Sequence, residues 1–244
     1  MATEPRTAIV TGAAKRVGRV IAEALLADGW TVIAHAHGEC DGIPEGAVGI
    51  AADLALADCA ERIFGAAGKR PPIRLLVNNA ARFAADSLGR FDEGELDLHM
   101  AVNLRAPVLL TRALASRHDG GDALVVNLLD AKLSAPNPDF LSYTLSKQAL
   151  AGFTDLAARA LAPAGIRVNG IAPALMLRSP GQDERNFAAM HALNPLARGV
   201  EPADVVGALR YLIDATRVTG QVITIDGGQR FWSLQRDVQF LERQ

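Results

Sequence analysis

The stretch Thr7-Ala8-Ile9-Val10-Thr11-Gly12-Ala13-Ala14-Lys15-Arg16-Val17-Gly18 decides the class of fold expected for this chain. Residues 7–11 form a β-branched, apolar run, which predicts a buried first strand. A turn with glycine at both ends follows at once. Apolar residues then recur at helical spacing until Gly29, which predicts a helix that ends there. The stretch therefore predicts the start of a strand–helix–strand unit.

The same alternation continues to the far end of the chain. Further strands are predicted at residues 31–36, 47–51, 74–77, 123–128, 166–171 and 221–225. Helices are predicted at 53–64, at 96–117 with a kink or break at Pro107, after residue 141, and at 201–214. The strands are apolar throughout, which is typical of a parallel sheet covered on both faces. We therefore expect an α/β fold: a single-domain (residues 1–244), Rossmann-type, doubly wound parallel seven-stranded sheet with helices on both faces.

Composition narrows the classes of function. The chain has 244 residues, of which half are hydrophobic, and a net charge of −2. The basic residues are scattered, so no nucleic-acid partner is expected. The absence of a long apolar run or signal-peptide layout predicts a cytoplasmic protein without a membrane partner. Two cysteines and five histidines form no metal-ligand spacing, so no metal is expected.

Tyr143 and Lys147 are four residues apart in a segment that looks helical, so their side chains share one face. An ammonium group beside a phenol favours the phenolate, which predicts a lowered pKa for Tyr143 and a role in proton transfer. Asp130 ends the apolar run at 123–128, where the strands of such a sheet carry their ligand sites. The alternative interpretation of this pair is a half-buried tyrosine beside a solvated lysine.

The turn from Gly12 to Gly18 lets backbone N–H groups approach a pyrophosphate, and Lys15 and Arg16 add positive charge. A tight structural turn is the alternative. NAD binding usually requires an acidic residue at the end of the second strand, but this chain has His35 and His37 there, with Glu39 beyond. We therefore expect NADP(H), with Lys15, Arg16 and His37 near its extra phosphate, and NAD(H) is not excluded.

Taken together, these motifs resemble the short-chain dehydrogenase/reductase family from Thr7 to Gly228. The matching pieces are Thr11-Gly12 with Gly18, Asp53-Leu54, Asn78-Asn79-Ala80, Asn103, Tyr143-x-x-x-Lys147, Pro173 and Asp226-Gly227-Gly228. The resemblance implies hydride transfer, with Tyr143 as proton donor, Lys147 on the nicotinamide ribose and Asn103 keeping a water-linked proton path. It places Asp53 beside the adenine and Asn79 beside the adenosine ribose. The cofactor set implied is completed by Val17, His35, Leu54, Ala80 and Pro173.

Three departures from the usual family pattern resemble the pteridine reductase branch, and bacterial dihydromonapterin reductases are similar. They are Arg16 and Ala81 in place of glycines and Asp130 in place of a serine. In that branch a phenylalanine at the position of Phe83 stacks on the pterin, and the loop arginine reaches both cofactor and substrate. The resemblance therefore implies a pterin-like substrate that contacts Arg16, Phe83, Asp130 and Tyr143. It also implies a homotetramer.

The chemistry of Asp130 bears on the type of reaction independently of the family resemblance. An ionised carboxylate would repel the oxygen that gains charge when a carbonyl is reduced, where a hydroxyl donor is worth about 3 kcal/mol. A carboxyl group can instead deliver or orient the proton needed by a ring nitrogen. Asp130 thus favours reduction of C=N. The alternatives are that Ser134 or Ser142 acts as the donor, or that activity is lost.

Residues 173–200 are expected to form a lid over the substrate, with Leu177 contacting it. The tail at 229–244 carries Phe231 and Trp232, and we predict that Trp232 lies at a subunit interface. Two other functions remain open. One is a general oxidoreductase of ketones, acyl thioesters or sugars, and the other is a nucleotide-binding protein without turnover.

Overall fold

All strands of this computed structural model, which describes residues 4–178, 182–232 and 234–241, belong to one parallel sheet. They are β1 (Thr7–Val10), β2 (Thr31–Ala36), β3 (Val48–Ala51), β4 (Ile73–Asn78), β5 (Ala123–Leu128), β6 (Ile166–Pro173) and β7 (Val222–Ile225). The spatial order is β3-β2-β1-β4-β5-β6-β7. The predicted fold class is confirmed, and the strand bounds differ from the predicted ones by at most two residues.

The helices are α1 (Arg16–Ala27), α2 (Cys59–Gly65), α3 (Glu93–Met100), α4 (Ala106–Arg117), α5 (Leu141–Leu161), α6 (Glu184–His191) and α7 (Pro202–Asp214). The helix predicted from residue 53 begins only at Cys59, because the Asp53 carboxylate accepts a hydrogen bond from Ala55 N–H and favours a turn. No helix in the described ranges is long and apolar enough to span a bilayer.

The segment predicted as one helix from 96 to 117 is divided into three parts. It starts earlier, at Glu93, because the side chain of Asp92 accepts the Glu95 N–H and caps α3. A π-helical turn, Ala101–Arg105, then separates α3 from α4. Pro107 lies in the first turn of α4, where its missing N–H leaves no hydrogen bond unmade. The predicted break is therefore present, and it occurs on the N-terminal side of Pro107.

Successive side chains of each strand enter two separate cores, because Cβ atoms alternate across a sheet. Val10 packs with α1 and α7, whereas its neighbour Ile9 packs with α2, α4 and the C-terminal half of α5. Both side chains are fully buried. Burying one such side chain stabilises the fold by about 1.5–3 kcal/mol. This double burial explains why the strands read as continuous apolar runs.

Strand order reverses between β1 and β4, which are neighbours in the sheet although β2 and β3 lie between them in the chain. The helix after β1 covers one face, and the α4 helix that follows β4 covers the other. The loops at their carboxyl ends therefore diverge and leave a cleft, as doubly wound sheets do at this position.

Candidate active site

A cleft of about 930 Å³ opens at the carboxyl ends of the strands. It collects residues that are far apart in the sequence: Gly12, Lys15, Arg16, Val17, Gly18, His35, His37, Asp53, Leu54, Asn79, Ala80, Phe83, Asp130, Tyr143, Lys147 and Pro173. All of these were singled out from the sequence. Of the predicted site residues in the described part of the chain, Asn103 and Leu177 do not line it.

The glycine turn after β1 packs closely against the start of α1 and the end of β4 because side chains are absent. Gly12 has φ +65°, a left-handed conformation that favours glycine. A Cβ on Gly18 would lie 2.1 Å from the carbonyl oxygen of Gly12. The hydroxyl of Thr11 accepts hydrogen bonds from Asn79 N–H and Ala80 N–H, each at 3.0 Å, and so ties this turn to the end of β4. The start of α1 is thus exposed to the cleft as an anion site.

The imidazole of His35 is hydrogen-bonded to the same glycine turn. Gly12 N–H donates to its Nδ1 at 3.1 Å, and its Nε2–H therefore donates to the carbonyl of Ala52 at 2.9 Å. Burial lowers the pKa of His35, so the ring is neutral. The partners of its two ring nitrogens are backbone groups. Nothing in the sequence indicated that His35 would hold the glycine turn in place.

The far end of the cleft contains a basic and an acidic side chain close together, His37 and Asp53. His37 is 81% exposed, and its Nδ1 lies 3.7 Å from a carboxylate oxygen of Asp53. The guanidinium of Arg16, by contrast, donates to the carbonyls of Leu177 and Arg178 at 3.3 and 2.9 Å. Arg16 therefore joins the glycine turn to the start of the predicted lid.

That contact corrects the prediction for Leu177. Its carbonyl faces Arg16, and its neighbour Met176 lines the cleft instead. Sequence periodicity could not choose between the two residues, because the strand has ended at Pro173 and the following segment is neither helix nor strand. The rest of the predicted lid contains α6, and residues 179–181 lie outside the described ranges.

The proton-bearing groups meet in the middle of the cleft. The hydroxyl of Tyr143 donates to Oδ2 of Asp130 at 2.8 Å. The other oxygen, Oδ1, accepts the Lys132 N–H at 2.8 Å and caps a short 3₁₀ helix, Ala131–Ser134. The ammonium of Lys147 donates to the Leu128 carbonyl at 2.5 Å. Because α5 begins at Leu141, Tyr143 and Lys147 lie one turn apart on its buried face, as their spacing predicts.

Burial is the largest influence on the pKa values of Asp130, Tyr143 and Lys147. It raises the pKa of Asp130 above the ordinary carboxyl value, although the Lys132 N–H, Tyr143 and Lys147 act in the opposite direction. It lowers the pKa of Lys147 to about 8, against the effect of Asp130. A buried carboxyl group with a raised pKa, close to a lysine that still carries charge at pH 7, is the kind of site at which protons are transferred.

The predicted lowering of the Tyr143 pKa is wrong for this structure. Burial and the adjacent Asp130, which accepts the phenolic proton, raise the pKa of Tyr143 well above its ordinary value. Lys147 Nζ lies 5.8 Å from the centre of the phenol ring and bonds to a backbone carbonyl instead. Tyr143 is consequently a neutral proton donor at physiological pH rather than a phenolate.

Asn103 is buried behind the cleft in the π-helical turn. Its Oδ1 accepts the Arg82 N–H at 2.8 Å, and its Nδ2 donates to the Arg82 carbonyl at 3.0 Å and to Ser146 Oγ at 2.9 Å. It thus clamps the loop after β4 to α5. The water-linked proton path expected of Asn103 stays a prediction.

Two residues on the same helical face assist this clamp. Glu95 forms a bidentate ion pair with Arg82. His99 accepts the Ala84 N–H at 3.2 Å and, through Nδ1, bonds Ser142 Oγ at 2.8 Å. The sequence analysis did not identify either residue. The spacing of polar residues 95, 99 and 103, each four apart, was the signal that could have found them.

The loop held in this way carries Phe83 to the substrate end of the cleft. The ring of Phe83 stacks on Phe140 with centroids 4.4 Å apart and meets Tyr143 edge-on at 4.8 Å. It remains 40% exposed. An aromatic ring in this position offers a platform beside the phenolic hydroxyl.

The chain is similar to known reductases along almost its whole length. A family model described as enoyl-(acyl carrier protein) reductase matches residues 12–230. Pteridine reductase 1 of Leishmania tarentolae is 33% identical over 93% of this chain and 98% of its own length. L-xylulose reductase of Bos taurus is 31% identical over 91% of this chain and 96% of its own length.

A solved structure extends the match to three dimensions. It is FolM alternative dihydrofolate reductase 1 from Brucella suis in complex with NADP, with a TM-score of 0.87 and 37% identity over 94% of this chain and 96% of that one. The predicted resemblance, including its pteridine reductase branch, is confirmed. The chain belongs to the short-chain dehydrogenase/reductase family of oxidoreductases.

Proposed function

We propose that the protein is an NADPH-dependent reductase of a pterin, acting on a C=N bond of the dihydropteridine type. The observation that carries the proposal is the hydrogen bond of 2.8 Å from Tyr143 to Asp130. It joins a phenol that holds its proton at neutral pH to a buried carboxyl group, and burial raises the pKa of each. Tyr143 is the proton donor in this proposal, and Asp130 assists it.

The glycine turn supports the choice of a dinucleotide cofactor. Gly18 lets the first turn of α1 pack directly against Gly12, since a Cβ there would lie 2.1 Å from the Gly12 carbonyl oxygen, and such close packing is what a dinucleotide-binding turn requires. The NADP held by the Brucella suis protein supports NADP(H) here. Lys15, Arg16 and His37 lie at the end of the cleft near the glycine turn and would meet its phosphates, and Lys147 would hold the nicotinamide ribose. When bound, the reduced cofactor supplies the hydride.

The chemistry of Asp130 supports nitrogen as the atom that is protonated. Asp130, which accepts the Tyr143 hydroxyl, can orient the phenol so that its proton passes to a ring nitrogen as negative charge develops there. Lys147, charged below a pKa of about 8, stabilises the negative charge left on the pair.

A carbonyl or alcohol oxidoreductase is the second candidate, and the identity to L-xylulose reductase favours it. This alternative needs a hydroxyl donor in place of Asp130. Ser142 is a poor substitute, because it is fully buried and bonded to His99. Ser134, on the short helix after Asp130, is the remaining candidate.

The decisive experiment measures NADPH oxidation with dihydrobiopterin, dihydromonapterin and a panel of ketones for the wild type, Asp130→Ser and the isosteric Asp130→Asn. We expect pterin turnover by the wild type and a loss of about 100-fold or more in both variants, the usual contribution of a general acid. Ketone turnover without pterin turnover in the wild type would support the second candidate. No NADPH oxidation by the wild type with any substrate would favour a nucleotide-binding protein without turnover.

A further inference from the structure

The C-terminal segment 234–241 folds back onto the loop that leads from Asp130 to α5 of the same chain. Arg236 Nε donates to both carboxylate oxygens of Asp139, at 2.8 and 3.1 Å, and Asp237 N–H donates to the same carboxylate at 2.8 Å. Lys132 Nζ donates to Asp237 Oδ2 at 3.2 Å. The side chains of Lys132 and Asp237 are only 9% and 15% exposed, so solvent screens this ion pair weakly.

Aromatic contacts join the segment to the substrate platform. The ring of Phe240 stacks on Phe140, with centroids 5.6 Å apart and planes inclined by 16°. Phe140 stacks in turn on Phe83, which contacts Tyr143. Three stacked rings thus connect the tail to the catalytic tyrosine. Since each ring restricts the next, loss of Phe240 removes the outer support of the platform.

A third contact holds the end of the segment to the lid. The amide of Asn186, on α6, donates to the Leu241 carbonyl at 2.9 Å. Between these anchors Leu234, Asp237 and Val238 line the cleft. The charge of Asp237 is one of the influences that raise the pKa values of Asp130 and Tyr143, which places this carboxylate within electrostatic reach of the catalytic pair.

We propose that segment 234–241 is the substrate-selecting wall of its own active site, in which Asp237 accepts N–H donors of a flat heteroaromatic ring and Phe240 supports the platform beneath it. The inference rests on the proposed function. An ionised carboxylate only accepts hydrogen bonds. The stacked phenylalanine rings favour a planar ligand, and N–H groups on such a ring, as in an aminopteridine, supply donors for the carboxylate.

The position of the wall is tested first, without substrate, by hydrogen–deuterium exchange of the loop at 130–140. Arg236→Ala and Phe240→Ala should increase exchange in this loop by about 2- to 10-fold. Phe231→Ala is the matched control, because Phe231 belongs to the same tail but is 72% exposed and does not line the cleft. Unchanged exchange in both variants would overturn the proposed position.

The selecting role is tested by kinetics with NADPH and dihydrobiopterin. Phe240→Ala should raise KM by about 2- to 10-fold and Asp237→Asn by about 10-fold or more, with kcat changed less and the Kd of NADPH within twofold of the wild type. An equal loss of NADPH affinity, or an unchanged KM, would overturn the inference. If the wild type reduces no pterin, the proposed function fails, while the exchange experiment still decides whether the wall exists.

Discussion

At the scale of single residues, burial decides how each ionisable group behaves in the cleft. Asp130, Tyr143 and Lys147 all have pKa values displaced towards the neutral form, because the charged form of each loses its hydration. The phenol of Tyr143 is therefore protonated at pH 7 and able to donate.

The pH dependence of pterin reduction should reveal the ionisation of Asp130 and of Lys147. The kcat/KM of the wild type is expected to change where Asp130 ionises, at a pKa raised by burial, and to fall past about pH 8, where Lys147 loses its proton. Asp130→Asn should retain only the Lys147 transition, at a rate about 100-fold lower. A variant profile with both transitions would show that Asp130 does not assist the proton transfer.

The stability of the protein at mildly acid pH should depend on His35. Its pKa is lowered in the folded state, so the unfolded chain binds the proton more readily as the pH falls through 6.5. The stabilisation is therefore present above pH 6.5 and is lost below it. His35→Asn should reduce the slope of the free energy of unfolding between pH 6.5 and 5 by up to about 1.4 kcal/mol per pH unit.

His37→Asn is the control for this experiment, since His37 is two residues away on the same strand end but exposed. Urea denaturation at a series of pH values measures both slopes. Equal slopes for the wild type and His35→Asn would contradict the neutral, buried state assigned to His35.

At the scale of elements, the loops of the cleft are held in place by neighbouring helices. Helix α3 and the π-helical turn after it hold the loop after β4 through Glu95, His99 and Asn103. Arg16 at the start of α1 holds the segment after β6. The loop after β4 is therefore positioned by the helix that follows it, and the segment after β6 by a helix that is distant in the sequence.

Arg16→Ala should release the segment at 177–178 from the glycine turn. Two hydrogen bonds from a charged donor are lost, and we expect a rise of about 10-fold in the KM for the pterin. Limited proteolysis should also cut this segment faster. Lys15→Ala, next to it, should raise the KM for NADPH instead; if both variants affect only NADPH, the assigned role of Arg16 is wrong.

At the scale of the whole molecule, several large apolar side chains are exposed to solvent when the chain is taken alone. Leu145 and Leu156 on α5 are 44% and 65% exposed, and Trp232 is 39% exposed. Apolar residues exposed together often mark contacts between subunits. A homotetramer, with Trp232 at an interface, stays our prediction.

Light scattering tests this prediction directly. The wild type should have four times the mass of one 25.8-kDa chain. Trp232→Ala should dissociate at higher protein concentration than the wild type, because apolar area buried between subunits is lost. Leu88→Ala is the control, since Leu88 is 86% exposed in a loop. A monomeric wild type would refute the prediction.

The class of fold and the polar residues at the centre of the cleft could be predicted from the sequence alone. Continuous apolar strands indicate burial on both faces of a sheet, and the glycine turn, the Tyr143–Lys147 spacing and Asp130 are local patterns. Local patterns can be read without coordinates because spacing along a helix or strand fixes which side chains share a face.

Only the tertiary structure decided what those residues contact. The phenol of Tyr143 bonds to Asp130, thirteen positions earlier, and its pKa rises because both are buried. Segment 234–241 reaches Asp139 across almost a hundred residues of chain. Burial and contacts between distant segments depend on how the elements pack, and pKa values depend on both. The direction of the proton transfer therefore follows from the packing around Asp130 and Tyr143.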